Sequence, residues 1–486
     1  REGPIPTASL TPTVTSLAPG TVKVTWPATW DRDNEELTYE VLRSGTSTPI
    51  RTLRSKSAFW RLPGLGIIDT GLEPGATYTY RVRVRDGSGN SIGSGTSLPV
   101  TVAGEESGSA YTEAVAADEP SHFWRLGEAE GPTVFDHAGF LPGTADAGVT
   151  RGTAGAIADD PDTAATFSGN ATGLVYSNGT EDAPTTDFTL EAWIRTTTNR
   201  GGKILGYASQ PTEASVEFDR HLYMDNSGRI WFGVYPGAIR AINSPRSYND
   251  GQWHHIVATL SESAGMVLYV DGRKVAQDPT VTSTRPYPGY WRIGGDNLNS
   301  WPSRPTSRNF AGVIDDVAIY PSALSQDRVV AHYVASGREN PIPPPPADAY
   351  GKAVYNADPA FYYRLNETSG NVAADSARNG LHGTYTATGL TRGVAGGIVG
   401  TDDTAVAFSG GGVATSTTMT NPTRYSLELW FSTTTDRGGK LIGFGNRATG
   451  NSTSYDRHVY MTNDGRLAFG AYTGANTVIF TEESYN

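Results

Sequence analysis

The sequence predicts an all-β chain, built as a small N-terminal sandwich followed by two copies of one larger β module. Three observations carry this. The segment LEAWIRTTTNRGGKILGY at 190–207 returns as LELWFSTTTDRGGKLIGF at 427–444, and FDRHLYM at 218–224 returns as YDRHVYM at 455–461. The offset of about 237 residues marks a duplicated domain, since solenoid repeats run about 20–50 residues. Short runs of alternating apolar and polar residues, bounded by Gly, Pro or Asp, recur along the chain, as strands of half-buried sheets require. Finally, 486 residues that are 37% hydrophobic and 10% aromatic suffice to fill about three domain cores.

Charge and cysteine content narrow the function. A net charge of −12, a sequence pI near 5.2 and the absence of long basic runs disfavour nucleic acid and anionic membrane surfaces as partners. No apolar run is long enough to span a bilayer, so membrane insertion is not expected. With no cysteine in the chain, disulfide frameworks, thiolate metal sites and cysteine nucleophiles are excluded. Multiple β modules with Thr-, Gly- and Asp-rich loops suggest an exported bacterial protein, with an intracellular acidic protein as the alternative on composition.

Taken in order, residues 1–103 form the first module. TVKVTW (21–26) sets Val22, Val24 and Trp26 against Lys23 and Thr25, and LTYEVLRSG (37–45) and YTYRVRVRDGSGN (78–90) alternate likewise. The segment LEPGATYTYRV (72–82) resembles the E–F corner of a fibronectin type III domain. The resemblance makes Tyr78 the corner tyrosine and Trp26 the core tryptophan, and implies a spacer without chemistry. The connection SKSAFWRLPGLGI (55–67) is longer than that family's usual one.

GEESGSA (104–110) reads as a flexible joint opening the second module, 104–337. AYTEAVAADEP predicts a short helix from 110, repeated by AYGKAVYNADP from 349. FTLEAWI (188–194) puts Phe188, Leu190, Ala192 and Ile194 on one face, and Glu191 and Trp193 on the other. WHHIVATL (253–260), MVLYVDGRKVA (266–276) with an Asp271–Gly272 hairpin turn, GYWRIGGDN (289–297) and FAGVIDDVAIY (310–320) supply further strands. A helix follows, with Ser325 as N-cap and Gly337 just past its end. RENPIPPPPADA (338–349) predicts a semi-rigid polyproline spacer that holds the modules apart. The third module, 350–486, stops at SYN where the second continues with more strands. Half a module leaves open edges, so the chain is expected to continue past Asn486, or a partner to complete the sheet.

WHHIVATL, LYVDG and GVIDDVAIYPSALS resemble the laminin-G-like jelly roll of the concanavalin A-like lectin/glucanase superfamily. The likeness spans about 108–338 in full and 348–486 in part. Glucanases of that superfamily carry acidic residues at E-x-D-x-x-E-like spacing on one strand, which suits retaining hydrolysis. No such spacing occurs in either copy, nor does H-E-x-x-H, G-x-S-x-G or a phosphate-binding loop. A non-enzymatic segment is therefore expected.

Binding residues are sought among polar positions that return in both copies. Alternation puts Asp219, His221 and Tyr223 on one face and Phe218, Arg220, Leu222 and Met224 on the other; the repeat keeps Asp456, His458 and Tyr460. Glu191 and Trp193 return as Glu428 and Trp430. An aromatic platform beside Asp, His and Glu suits a sugar, which has apolar faces and hydroxyl edges. Equally, these groups brace the sheet by bonding one another, because a duplicate inherits its scaffold too. Arg200 and Lys203 read as a solvated turn. The jelly-roll resemblance also implies calcium, with Asp136, Asp375, Asp296, Asn297, Asp315 and Asp316 as candidate ligands and turn capping as the alternative for each. Asp315 and Asp316 are adjacent, as are His254 and His255, so each pair is expected to point to opposite faces.

The reading is an extracellular or cell-surface protein recognising a glycan or a surface protein without catalysis, its tandem copies adding avidity. Two alternatives are a structural part of a phage tail or surface filament, hence of a virion or larger assembly, and the accessory region of a secreted carbohydrate-active enzyme.

Overall fold

A computed structural model describes residues 2–6, 10–105, 108–419 and 422–486. Part of the 104–110 joint, Glu106 and Ser107, thus lies outside the described residues. The chain forms two compact units, Arg1–Pro341 and Ile342–Asn486, divided within the proline-rich stretch. It is all-β, with three short helices among the described residues.

The first unit begins with a sandwich. Thr13–Thr15, Val22–Pro27 and Gly64–Asp69 form one sheet. Arg51–Lys56, Glu36–Arg43, Tyr80–Arg85 and Ser91–Gly93 form the other, in that spatial order. Val22, Val24 and Trp26 meet Leu37, Tyr39, Val41, Val82 and Val84 in its core, as alternation predicts. Tyr80 is fully buried there beside Tyr39, its hydroxyl donating to Asp69 at 2.8 Å, while Tyr78 is partly buried against the same core. Lys23 and Thr25, expected on the solvent face, are buried as well. A loop of the next module covers them: Lys23 Nζ donates to the carbonyls of Asp136 (2.9 Å) and Gly139 (2.7 Å), and Phe140 packs on Gly66. Leu62 and Thr180 exchange two further bonds across the same seam, at 2.8 and 2.9 Å.

Behind that seam stand two antiparallel sheets, eight- and nine-stranded among the described residues, that form a jelly-roll sandwich. The first runs Val149–Ala154, Thr163–Ser168, Ala311–Tyr320, Phe188–Arg195, Trp253–Ser261, Gly265–Val270, Arg273–Asp278, with His122–Trp124 also on Ala311–Tyr320. The second includes Pro288–Ile293, Gly202–Ala208, Phe218–Met224, Arg229–Val234 and Arg240–Ser247 side by side. Leu190, Ala192 and Ile194 face Leu222, Met224 and Phe232 across a shared core. Helices Ala110–Ala117 and Gln326–Ala335 lie on the outer face of the first sheet, where Tyr111, Val115 and Val329 pack against Trp193 and Tyr320. Ser325 caps the second helix, accepting from Arg328 N at 3.3 Å. Asp271 and Gly272 both take positive φ, 51° and 76°, as a type I′ hairpin turn requires.

Two bulges break the expected alternation. Ile314 and Val317 both enter the inner core, so two residues, Asp315 and Asp316, lie between inward positions instead of one. Asp316 takes φ 45° and the register against Phe188–Arg195 shifts there. The two aspartates therefore do not point to opposite faces, because an inserted residue resets the period of two. In Phe218–Met224, Arg220 takes φ 42°. There Phe218 joins Tyr223 on the outer face, while Asp219 and Arg220 pair with each other and reach toward Tyr287.

The second unit repeats the helix, Ala349–Asn356, and the four-stranded run Gly439–Gly445, Tyr455–Met461, Arg466–Tyr472, Asn476–Ser484. Residues 426–434 pair with no strand, and Trp430 is 66% exposed. In the first unit the equivalent strand is held between Trp253–Ser261 and Ala311–Tyr320, and the described residues of 342–486 contain no counterpart of either.

Candidate functional site

Glu191 and Trp193 stand on the outer face of the eight-stranded sheet, as alternation requires, but the two helices cover them completely. The Glu191 carboxylate accepts from the hydroxyls of Tyr111 (2.9 Å) and Tyr320 (2.6 Å) and meets His255 Nε2 at 2.6 Å and His332 Nδ1 at 3.1 Å. Burial pushes its pKa up, yet the charge on His332 and bonds from both histidines overcome burial and hold the group well below the carboxylate range. Burial likewise pushes His332 down, and the charges of Glu191 and Asp118 raise it. Trp193 stacks on His255 with ring centroids 4.6 Å apart, under the Arg338 guanidinium at 4.2 Å. This assembly ties three strands to two helices and opens no surface to a ligand.

The outer face of the nine-stranded sheet differs. Here Gly202–Ala208 and Phe218–Met224 bring Lys203 beside His221 across Gly206, where a Cβ would lie 2.7 Å from His221 Cβ. Lys203 is fully buried, not part of a solvated turn, because the segment after Pro288–Ile293 folds over it; Arg200 stays exposed. Lys203 Nζ lies 3.6 Å from Asp296 Oδ2, an ion pair longer than a hydrogen bond. Burial lowers its pKa to about 8, against the pull of Asp296. His221 finds no hydrogen-bond partner among the described residues for either ring nitrogen, and burial, with Lys203 nearby, keeps it neutral. Trp301 closes the top, its ring 4.1 Å from His221 and against Gly233. Arg292 fastens the neighbouring loop through the carbonyls of Gln210 (3.1 Å) and Thr212 (3.2 Å) and pairs with Asp296 at 3.2 Å.

Around this closed centre the face carries half-buried rings. Phe218, Trp231 and Tyr235 pack beside Tyr223, Leu298 and Trp301. Tyr223 lies parallel to Trp231 at 5.8 Å and donates to Pro302 O at 2.7 Å, and Trp231 Nε1 donates to Asp225 at 2.9 Å. Asp219 is not part of this face: it accepts from Tyr287 (3.0 Å), Arg220 (2.7 Å) and Thr284. Of the expected binding set, the first unit thus brings His221 and Tyr223 together and separates Asp219, Glu191 and Trp193 from them. Trp231, Tyr235, Arg292 and Trp301 were not legible as a set. The signal available was the Lys–Gly pair at 203 and 206, which returns at 440 and 443, where a Cβ on Gly443 would again lie 2.7 Å from a histidine Cβ, that of His458.

In the second unit Glu428 accepts from Tyr350 at 2.6 Å and is exposed beside Trp430. Asp456 pairs with Arg457 at 2.5 Å, and His458 lies 5.5 Å from Tyr460, ring to ring.

The aspartates expected to hold calcium do not fit it. Asp136 accepts from the backbone of Phe123 (3.0 Å), Ala138 (3.1 Å), Gly139 (2.9 Å) and Leu141 (3.1 Å) and meets His122 at 2.7 Å. Asp375 repeats this with Tyr362 (2.8 Å), Ala377 (2.9 Å) and Leu381 (2.8 Å). Asp315 accepts from Ala156 N at 2.7 Å and Asp316 from Arg125 at 3.0 Å; burial pushes Asp316 up to about 7. Asp296 faces two cations, and Asn297 bonds Ser215 O at 3.0 Å. Donors already occupy the Asp136 and Asp375 carboxylates. Asp296 Oδ2 and Asp316 Oδ2 accept no hydrogen bond among the described residues, but each of these carboxylates faces a cation, Lys203 or Arg125, whereas calcium needs six to eight oxygen ligands converging on one point. No group of three His, Asp or Glu side chains suited to a metal occurs among the described residues.

Residues 167–330 match a laminin G family model, described as concanavalin A-like lectin/glucanases superfamily. That stretch contains the Lys203–His221 centre and most of both sheets. No curated protein matches the chain. Similar solved structures include the native heptameric SAP-like pentraxin of Limulus polyphemus (18% identity, 34% of this chain and 78% of that one, TM-score 0.27). Others are the receptor binding domain of botulinum neurotoxin type G (12%, 44% and 51%, TM-score 0.33) and the Trypanosoma rangeli sialidase in complex with sialic acid (13%, 67% and 53%, TM-score 0.35). This chain spans about half the length of the latter two. No helix among the described residues is long and apolar enough to cross a membrane.

Proposed function

We propose that the jelly roll of the first unit is a non-catalytic glycan-recognition module of an exported protein, with a fibronectin type III-like domain before it and a related module after it adding avidity. The observation that carries this reading is the ring-bearing outer face of the nine-stranded sheet. Phe218, Trp231 and Tyr235 are half-buried there, over the Trp301 latch and beside the polar groups Asp225 and Arg285. Half-exposed rings supply flat apolar contact for a sugar face while neighbouring polar groups reach its hydroxyls. The match of residues 167–330 to a lectin-containing superfamily agrees with it.

Titration calorimetry of the chain against a panel of soluble glycans, with Trp231→Ala and Tyr235→Ala beside the wild type, tests it. Heat that either variant abolishes while its denaturation midpoint holds supports the site. Absence of heat with every glycan favours the structural reading, a component of a filament or tail. The locked seam through Lys23 suits that reading, since a load-transmitting rod needs modules that do not swivel.

A further inference from the structure

The N-terminal sandwich carries a feature that a bare spacer does not need. Its long connection between Arg51–Lys56 and Gly64–Asp69 displays Phe59 and Trp60 at 64% and 61% exposure. Trp30 joins them, its ring 5.7 Å from Phe59 at 58°, while Phe59 and Trp60 meet edge to face at 4.8 Å and 87°. Contiguous exposed rings of this kind mark interaction sites on folded proteins.

The loop is held firmly in this shape. At one end Ser57 N donates to Glu35 O (2.8 Å), and Ser57 Oγ receives Asp31 N (2.7 Å). At the other, Ala28 N donates to Pro63 O (2.8 Å), and Leu62 exchanges its two bonds with Thr180 of the jelly roll. Arg61 forms an ion pair with Asp182 at 2.6 Å, both side chains about half exposed at 48% and 52%. The backbone on both sides of the rings is thus tied down, on one side to the jelly roll itself.

We propose that Trp30, Phe59 and Trp60 form a second carbohydrate site, taking a neutral polysaccharide segment that crosses the seam toward the Arg61–Asp182 pair. The rings offer apolar faces at an angle, suited to the C–H face of a pyranose. The Arg61–Asp182 pair offers donors and acceptors to hydroxyls with no net charge, which selects a neutral ligand over an acidic one. A chain carrying −12 is repelled by anionic bilayers, so the same rings are poorly placed to act as a membrane anchor. The site continues an interface already built, so one ligand touches both modules at once.

Affinity electrophoresis of the full chain in gels containing hydroxyethylcellulose, xylan, laminarin or galactomannan tests this, with pull-down on cellulose and chitin alongside. At least one polysaccharide should retard the wild type. The double substitution Phe59→Ala with Trp60→Ala should weaken that retardation by about tenfold or more, as loss of a central aromatic anchor does, and Trp60→Phe should restore part of it. Val399→Ser, at a fully exposed apolar residue of the second unit, should leave it intact. Trp231→Ala run in the same gels reads the other site, and retardation lost with Trp231→Ala but kept in the double variant belongs to that face and counts against this one. The proposal is overturned if no polysaccharide retards the chain, if the double variant runs as the wild type, or if phosphatidylcholine vesicles capture the chain through Phe59 and Trp60 instead.

Discussion

Replacing Glu191 with alanine separates a bracing role from a binding one. In the wild type the buried carboxylate serves four donors: the hydroxyls of Tyr111 (2.9 Å) and Tyr320 (2.6 Å), and His255 (2.6 Å) and His332 (3.1 Å). A buried donor left without its acceptor costs about 1–3 kcal/mol, and breaking a buried charge pair about 3–5 kcal/mol. His332 keeps Asp118 at 2.9 Å, so the upper limits do not simply add. A loss of roughly 4–8 kcal/mol follows, against a typical domain stability of about 5–15 kcal/mol. Guanidinium titration followed by tryptophan fluorescence reads this directly, because nine of the ten tryptophans lie before residue 342. The pH dependence supplies a second readout. Glu191, held below its ordinary value, contributes stability present above about pH 4.5 and lost as pH falls through the folded value. The raised His332 contributes stability that is full below about pH 6.5 and lost as pH rises through its folded value. Both limbs should flatten in Glu191→Ala. A variant within about 1 kcal/mol of wild type that loses glycan binding would refute the bracing argument and return Glu191 to the ligand site.

The other expectations concern single contacts. Lys203 has a folded pKa of about 8 against an ordinary 10.5, so between those values the unfolded chain holds the extra proton and stability rises with pH. The rise amounts to about 3 kcal/mol at 1.36 kcal/mol per pKa unit; Lys203→Met should abolish it without loss at pH 7, and an unchanged slope would contradict the assignment. Lys23→Ala strands the carbonyls of Asp136 and Gly139 and should cost about 2–4 kcal/mol. It should also loosen the seam, seen as a larger radius in X-ray scattering and faster proteolysis between 104 and 109; an identical scattering curve would show that the seam does not depend on Lys23. Millimolar calcium should leave the melting temperature unchanged, since Asp136 already serves backbone donors and Asp296 and Asp316 already face Lys203, Arg292 and Arg125, and a rise of several degrees would overturn that.

Alternation along the chain determined much of this protein by itself. It put Phe188, Leu190, Ala192 and Ile194 in the core and Glu191 and Trp193 opposite, because successive residues of a pleated strand must face opposite ways. Local chemistry likewise set the Asp271–Gly272 turn and the Ser325 cap, each settled by the conformations its own residues tolerate. The duplication, too, was plain from identity alone. What lies outside the reach of a period of two is any inserted residue: Arg220 and Asp316 each take positive φ in a bulge, and everything beyond changes face without a mark in the composition. Burial of polar groups was equally invisible. Lys23 and Lys203 read as solvent-facing until segments more than 90 residues away, around Asp136 and Asp296, closed over them. A polar side chain records its own chemistry, but whether water reaches it depends on distant chain, and only the tertiary structure decides that.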